Sequence, residues 1–528
     1  MPNSELTLKL VKRGTQFKRR LSLSRLLVVA PGLVALGLGA YQLSLPHSFW
    51  GVHGADDGVY LAPALRLVHG AVPYRDYAFV HPPGIALLMA PLGIFGDTRD
   101  AMAAARVVTA LVAGLNASLA AFAVRSLGRV AMLVAGLTLA VFPLATSADH
   151  TLTLEPYLVL FCLLGTVVMF SGGELASARR VLAAGALFGF AGALKVWAVF
   201  PVIVALCLCM LVRRPAVRPF LSGLLVGFGL PSLPFFLLAP RTFVHDVVVA
   251  QLARSGTGEG YHALGERLVL LLGLSTHANV EPRTHLAWAV ALVLFGLVAE
   301  VYVTAARRSP LDWFLLGSTA LAVLAALFLV KDFYAYYAYF TAAFGGMLLG
   351  VCFGRLADGV RSVIKAAPAV LTALVIAGAA LVVPSRTGYA RSFLGGAYDP
   401  QATIAEQIPA GACVVFDEAG NLIDSNRFFA SRPGCPPLVD AFALWLTDNR
   451  GTPPPARPRS EAFVAKWRSW LERADYAVLA IPNSNYVPWT DDLRSWFNDH
   501  YRLVASQQNP NAPLGVYVYE HVAHSRST

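Results

Sequence analysis

Charge is what this 528-residue chain has least of. Only 14% of its residues are Asp, Glu, Lys or Arg, against about 25% in soluble globular proteins. Apolar residues make up 56%, and the mean hydropathy is +0.58. So few charges exclude an ordinary soluble enzyme. Cysteine is sparse too: the six present show no C-x-x-C metal spacing, and His81, Asp149 and His150 lack the close ligand spacing of a zinc site. No internal repeat is visible, which argues against the repeat-built folds of many transporters.

What the chain does have is a series of apolar runs near the ~20 residues needed to cross a bilayer. Nine fall at residues 26–45, 101–124, 130–145, 153–170, 219–238, 286–303, 311–330, 333–351 and 366–383. Residues 181–212 are too many for one span and are bracketed by Arg179-Arg180 and Arg213-Arg214. If both basic pairs face the cytoplasm, as the positive-inside rule prefers, this stretch crosses twice and breaks near Lys195. The expectation is therefore an α-helical polytopic membrane protein with about eleven transmembrane helices.

The net charge of +11 then finds a place. Loops assigned to the cytoplasm hold 19 Lys/Arg and 5 Asp/Glu, whereas outer loops before the tail hold 8 and 12, with the acids at the span edges (Glu155, Glu300, Asp312) included and Lys195 counted inside its span. This puts the N-terminus on the cytoplasmic side of a plasma membrane. The basic leader, residues 1–25 with Lys9, Lys12, Arg13, Lys18, Arg19 and Arg20, acts as a barrier to translocation, and no nucleic-acid partner is expected. Residues 26–384 form the membrane domain.

Eleven crossings leave residues 385–528 outside as a soluble-looking α/β domain. Short β-like runs at 412–416, 476–481 and 515–519 alternate with helical stretches such as 461–471, and Pro453-Pro454-Pro455 marks a loop. Cys413 and Cys435 are the only cysteines of this tail, and an oxidising exterior favours a disulfide between them.

The chemistry concentrates in the first outer loop, residues 46–100. It carries Gly54-Ala55-Asp56-Asp57-Gly58-Val59-Tyr60, then Gly70-Ala71-Val72-Pro73-Tyr74-Arg75-Asp76, then His81-Pro82-Pro83-Gly84. Residues 59–68 read as a helix, and 85–95 form an apolar run too short to span, suited to an interfacial or re-entrant helix. Asp56 and Asp57 before a helix could act as caps. Two adjacent carboxylates also resist ionising together, which lifts one of them toward the range of a general base. Lys195, an ionisable residue within apolar sequence, is a functional candidate in its own right.

The series D-D-G-x-Y, G-x-x-P-Y-R-D and H-P-P-G opening an apolar helix resembles the first extracytoplasmic loop of GT-C glycosyltransferases. These include protein O-mannosyltransferases, lipid A aminoarabinose transferases and actinobacterial arabinofuranosyl- and mannosyltransferases. The resemblance extends to the many spans, a Lys in the glycine-containing helical pair and an outer C-terminal domain; no sequon-binding motif of oligosaccharyltransferases is present. It implies a transferase using a polyprenyl-phosphate sugar as donor, with no cofactor and no metal, and a glycan, glycolipid or protein as acceptor. Asp56 matches the family's catalytic acid and Asp57 its second acid. Lys195 and Arg75 would bind the donor phosphate, and Tyr60, Asp76, His81, His150, Glu155, Lys331 and Tyr337 would line the substrate cavity. A flippase or transporter of a lipid-linked sugar shares the spans and the lysine, but it needs neither the acidic pair nor a globular tail.

Overall fold

The computed structural model describes residues 24–252, 263–275, 283–304, 308–394, 398–448, 460–508 and 515–522. Lys9, Lys12, Arg13, Lys18, Arg19 and Arg20 of the leader, and Pro453-Pro454-Pro455, lie outside the described residues.

Each of the eleven expected spans falls on a helix. By length and composition seven helices suffice to cross a membrane: Ser24–Leu43, Thr98–Ala123, Arg214–Leu238, Thr284–Thr304, Pro310–Leu329, Tyr337–Arg361 and Ala367–Gly388. The other four are shorter: Gly128–Val141 and Val199–Val212 with 14 residues, Leu154–Met169 with 16, and Ala178–Leu194 with 17. At 1.5 Å per residue these reach about 21–26 Å, less than the ~30 Å hydrocarbon core.

Small residues decide how the helices meet. Gly185 and Gly189 on Ala178–Leu194 face Gly223 and Gly227 on Val217–Leu238. A Cβ at Gly185 would lie 2.2 Å from the Phe220 carbonyl oxygen, and one at Gly227 would lie 2.0 Å from that of Ala186. Two G-x-x-x-G faces thus bring backbones into direct contact, which is how helices gain attraction where lipid offers no hydrophobic drive. The helix Ala178–Leu194 stops at Lys195, whose extended backbone (φ −156°, ψ 139°) separates it from a single 3-10 turn and then Val199–Val212. The apolar stretch 181–212 is therefore two helices, with the lysine at the break.

The first loop folds into a helix, here α1 (Ala55–Val68), followed by α2 (Gly84–Met89) and a 3-10 turn at Ala90–Ile94. The next long helix, α3 (Thr98–Ala123), starts at an Asp97 cap that accepts from the Arg99 and Asp100 N–H groups.

Among its described residues the tail holds four strands, β1 (Val414–Phe416), β2 (Tyr476–Leu479), β3 (Tyr501–Gln508) and β4 (Gly515–His521), in the order β1-β2-β4-β3. The first pair is parallel and the other two are antiparallel. Helix Glu461–Arg473 covers the sheet with Phe463, Trp467 and Leu471. The strand β3 and the helix Asp491–His500 were not expected from sequence, because β3 is half polar and the helix buries only Leu493 and Phe497. Cys413 and Cys435 are disulfide-bonded, with Cα atoms 5.5 Å apart.

The tail is fastened to the first loop by polar contacts. Thr98 Oγ1 donates to the Ile423 carbonyl at 2.7 Å, Asn426 Nδ2 to Asp97 at 2.6 Å, and the Gly51 N–H to Asp424 at 2.9 Å. Arg99 pairs with both Asp399 and Asp424 of the tail.

Candidate active site

The site begins at the first turn of α1. Gly54 occupies the N-cap position without a side-chain bond, so neither aspartate caps the helix. Both lie in the first turn, where the positive helix end favours carboxylates. One residue apart on a helix, they point about 100° away from each other, and the fold gives them different surroundings.

Asp57 turns inward and is 3% exposed. Its carboxylate accepts from Arg106 Nη2 at 2.6 Å and Nε at 3.1 Å, and from the Leu152 N–H at 2.5 Å. Arg106, on α3, is 1% exposed and also donates to the carbonyls of Gly51 at 2.7 Å and Phe49 at 3.0 Å. Asp57 is thereby a structural pin joining α1, α3 and the segment before Leu154–Met169.

Asp56 keeps partial exposure and has no hydrogen-bond partner among the described residues. Its carboxyl is pushed up to about 7, first by burial and then by the negative charge of Glu155, with smaller contributions from Asp57 and Asp440; the positive charge of Lys195 opposes them. The same groups surround Tyr60, one helical turn further along, whose hydroxyl is raised well above its ordinary value by burial and by Asp56, Glu155, Tyr337 and Asp440.

Lys195 reaches this cluster from the helix break. Its ammonium pairs with Glu155 and sits 4.6 Å from the centre of the Tyr337 ring. The H-P-P-G turn positions it: a Cβ at Gly84 would lie 2.5 Å from the Ala193 carbonyl oxygen, so only glycine lets this turn rest against the helix end beside Lys195. His81 of the same turn packs edge-on to Tyr60 with ring centres 5.4 Å apart.

The tail supplies the remaining wall. A Cβ at Gly58 would lie 2.3 Å from the Gly420 nitrogen, so the helix Ala419–Asp424 rests directly on α1 beside the acidic pair. This contact brings Glu418 and Asp440 up to Asp56. Glu418, 9% exposed, is raised to about 8 by burial and by the charges of Asp417, Asp56 and Asp440. Asp417 is raised to about 6, mainly by burial.

Of the sequence candidates, Asp56, Asp57, Tyr60, His81, Glu155, Lys195 and Tyr337 therefore come together. His150 lies behind Asp57, its ring 5.5 Å from that of His53. Arg75 and Asp76 instead bond each other at 2.8 Å in an exposed turn, where Asp76 also accepts from the Val72 N–H at 2.6 Å. The side chain of Lys331 is exposed, and its carbonyl accepts from Arg267 at 3.0 Å. Three site residues escaped the sequence reading: Arg106, Glu418 and Asp440. Arg106 had a signal, as a lone cation inside an apolar span. The two tail acids had none, since only docking of the tail brings them near residue 56.

A polytopic membrane protein with a GT-C-type fold is what these features define. The chain superposes on the crystal structure of ArnT from Cupriavidus metallidurans bound to undecaprenyl phosphate with a TM-score of 0.59 and 17% identity, covering 94% of this chain and 98% of that one. No family model and no curated protein matches the sequence.

Proposed function

We propose that the protein is an inverting glycosyltransferase that moves a sugar, arabinofuranose or mannose, from a polyprenyl phosphate carrier to a hydroxyl of an envelope acceptor at the outer face of the plasma membrane. The observation that carries this reading is Asp56, a carboxyl without a hydrogen-bond partner among the described residues, raised to about 7 by burial and by Glu155 and opposed by the positive charge of Lys195. An ArnT-like fold, whose solved relative holds undecaprenyl phosphate, supports a lipid-phosphate donor. The 19:5 against 8:12 charge split supports the outward orientation.

In this reading Asp56 takes the proton of the acceptor hydroxyl as its oxygen attacks the anomeric carbon. The bond from that carbon to the phosphate oxygen breaks, and polyprenyl phosphate leaves with one more negative charge than the donor carried. A base near pH 7 suits this step, because enough is ionised at neutral pH while its basicity stays high. Lys195 has three donors, of which Glu155 takes one, leaving capacity for the phosphate. Arg106 fixes Asp57, and through it the turn that carries Asp56.

Purified protein incubated with polyprenyl-phosphate arabinofuranose or mannose and a membrane-derived acceptor tests the reading: glycosylated acceptor and free polyprenyl phosphate should appear together. A reporter active only outside the cytoplasm, fused after Thr528, tests the orientation; Thr528 lies outside the described residues. Donor carried across vesicles without being consumed would sink the transferase and leave a flippase.

A further inference from the structure

A second polar site lies at the far end of the helices that carry the first. The helix Thr98–Ala123 begins beside the Asp57 pocket and runs for 26 residues, about 39 Å. Leu154–Met169 likewise begins next to Glu155 and ends at the other side. Between those distal ends is a cleft of about 140 Å³ lined by Arg125, Ser126, Thr166, Val167, Phe170 and Gly172 among others. It therefore opens at the membrane face opposite Asp56.

Arg125 lines this cleft, and Arg180 is hydrogen-bonded to the backbone of two of its lining residues. Arg125 lies 3.7 Å above the Phe122 ring and donates to the Phe122 carbonyl at 2.9 Å. Arg180 donates to the carbonyls of Val167 at 3.0 Å and Phe170 at 3.3 Å, both residues of the cleft. Neither pairs with a carboxylate among the described residues. They are close enough that the charge of Arg180, after burial, lowers the Arg125 guanidinium from its ordinary value.

A tight turn faces them. Strands Phe170–Ser171 and Glu174–Leu175 pair through Gly172 and Gly173, with φ of 62° and 92°. Two successive positive-φ residues are what a two-residue hairpin of the primed type requires. Gly173 is also pressed against Ser309, where a Cβ would lie 2.9 Å from the Ser309 side chain, so the turn is held in place.

A rigid turn, a hydroxyl at Ser126 and two forked cations that repel each other form a receptor for one anion with several oxygens. Phosphate fits, because planar guanidinium groups bond its oxygens in parallel pairs. We propose that this cleft binds a phosphate group at the membrane face opposite Asp56. Basic pockets between spans are suited to anionic lipid headgroups, and the half-buried Val167 beside the cations would meet the start of the acyl chains. A phospholipid headgroup and free inorganic phosphate share the chemistry and are separated by the test.

Full-length protein in a non-ionic detergent is incubated with mixed phosphatidylglycerol and phosphatidylcholine and examined by native mass spectrometry. In parallel, its melting temperature is followed with inorganic phosphate. Two double variants are compared: Arg125→Gln with Arg180→Gln, and Arg214→Gln with Arg218→Gln, which removes equal charge from the same face outside the cleft. Phosphatidylglycerol should be retained by the wild type and the second variant and fall about tenfold in the first, as expected for losing charged hydrogen bonds. A melting shift with inorganic phosphate, lost only in the Arg125/Arg180 variant and without lipid retention, would also support the site and name free phosphate as its ligand. Equal loss in both variants would reduce the effect to general surface charge and overturn the proposal, as would retention in both. Circular dichroism and melting in the absence of ligand establish that each variant is folded.

Discussion

Arg106 grips Asp57 with two hydrogen bonds, at 2.6 and 3.1 Å, while Asp56, its neighbour in the chain, has none among the described residues. Adjacent carboxylates on one helical turn thus sit differently: one holds the loop to the membrane helices and the other carries no such anchor among the described residues. Breaking a buried pair leaves an uncompensated charge and costs about 3–5 kcal/mol. Arg106→Met should lower stability on that scale. In a double-mutant cycle, Asp57→Asn combined with Arg106→Met should cost clearly less than the sum of the single changes; additivity would show that the pair does not couple.

Asp56→Asn preserves shape and removes basicity. Transfer should fall about 10²–10⁴-fold, the usual share of a general base, with donor binding nearly retained. In the wild type, turnover should rise with pH and level off above about 7, since the ionised form of a carboxyl raised to about 7 is the active one. Normal turnover by the variant with its true donor would remove Asp56 from the mechanism.

Lys195→Met should weaken donor binding and turnover together, because a cation that contacts the phosphate acts in both ground and transition states. It also leaves Glu155, 3% exposed, without its ammonium partner. Lys195→Arg serves as the check: partial recovery of donor affinity is expected if charge at this position is what matters, and none if the lysine only fixes Glu155.

Glu418 makes stability depend on pH. Its carboxyl rises from an ordinary 4.5 to about 8 on folding, so the native state binds the proton more tightly than the unfolded chain. The stability this provides is complete below about 4.5 and is lost as pH rises through about 8. Glu418→Gln should flatten the decline of melting temperature between those limits. An unchanged slope would show that other groups carry it.

Gly58→Val tests the docking of the tail. The added side chain meets the Gly420 backbone, which cannot move aside as a flexible side chain could. Overpacking of this kind costs about 1–3 kcal/mol, and lifting the tail also withdraws Glu418 and Asp440 from Asp56. Faster proteolysis between the membrane domain and the tail should accompany reduced transfer.

Much of this architecture was legible in the sequence because it follows from local chemistry. Scarce charge and repeated apolar runs define a membrane protein, since backbone groups in lipid must be satisfied within helices. The basic pairs around residues 181–212 located the helix break at Lys195, and the spacing of D-D-G-x-Y and H-P-P-G marked the loop that carries the acids. Tertiary structure alone decided which acid is free. Whether Asp56 or Asp57 meets Arg106 depends on how α1 is turned against a helix some 50 residues later, and nothing in the dipeptide specifies it. The same holds for Arg75, whose charge faces water with Asp76, and for Glu418 and Asp440, which lie more than 350 residues from Asp56 in the chain. Composition and periodicity report what a segment is. Which polar group ends up paired, and which is left to act, depends on contacts between segments that are neighbours only after folding.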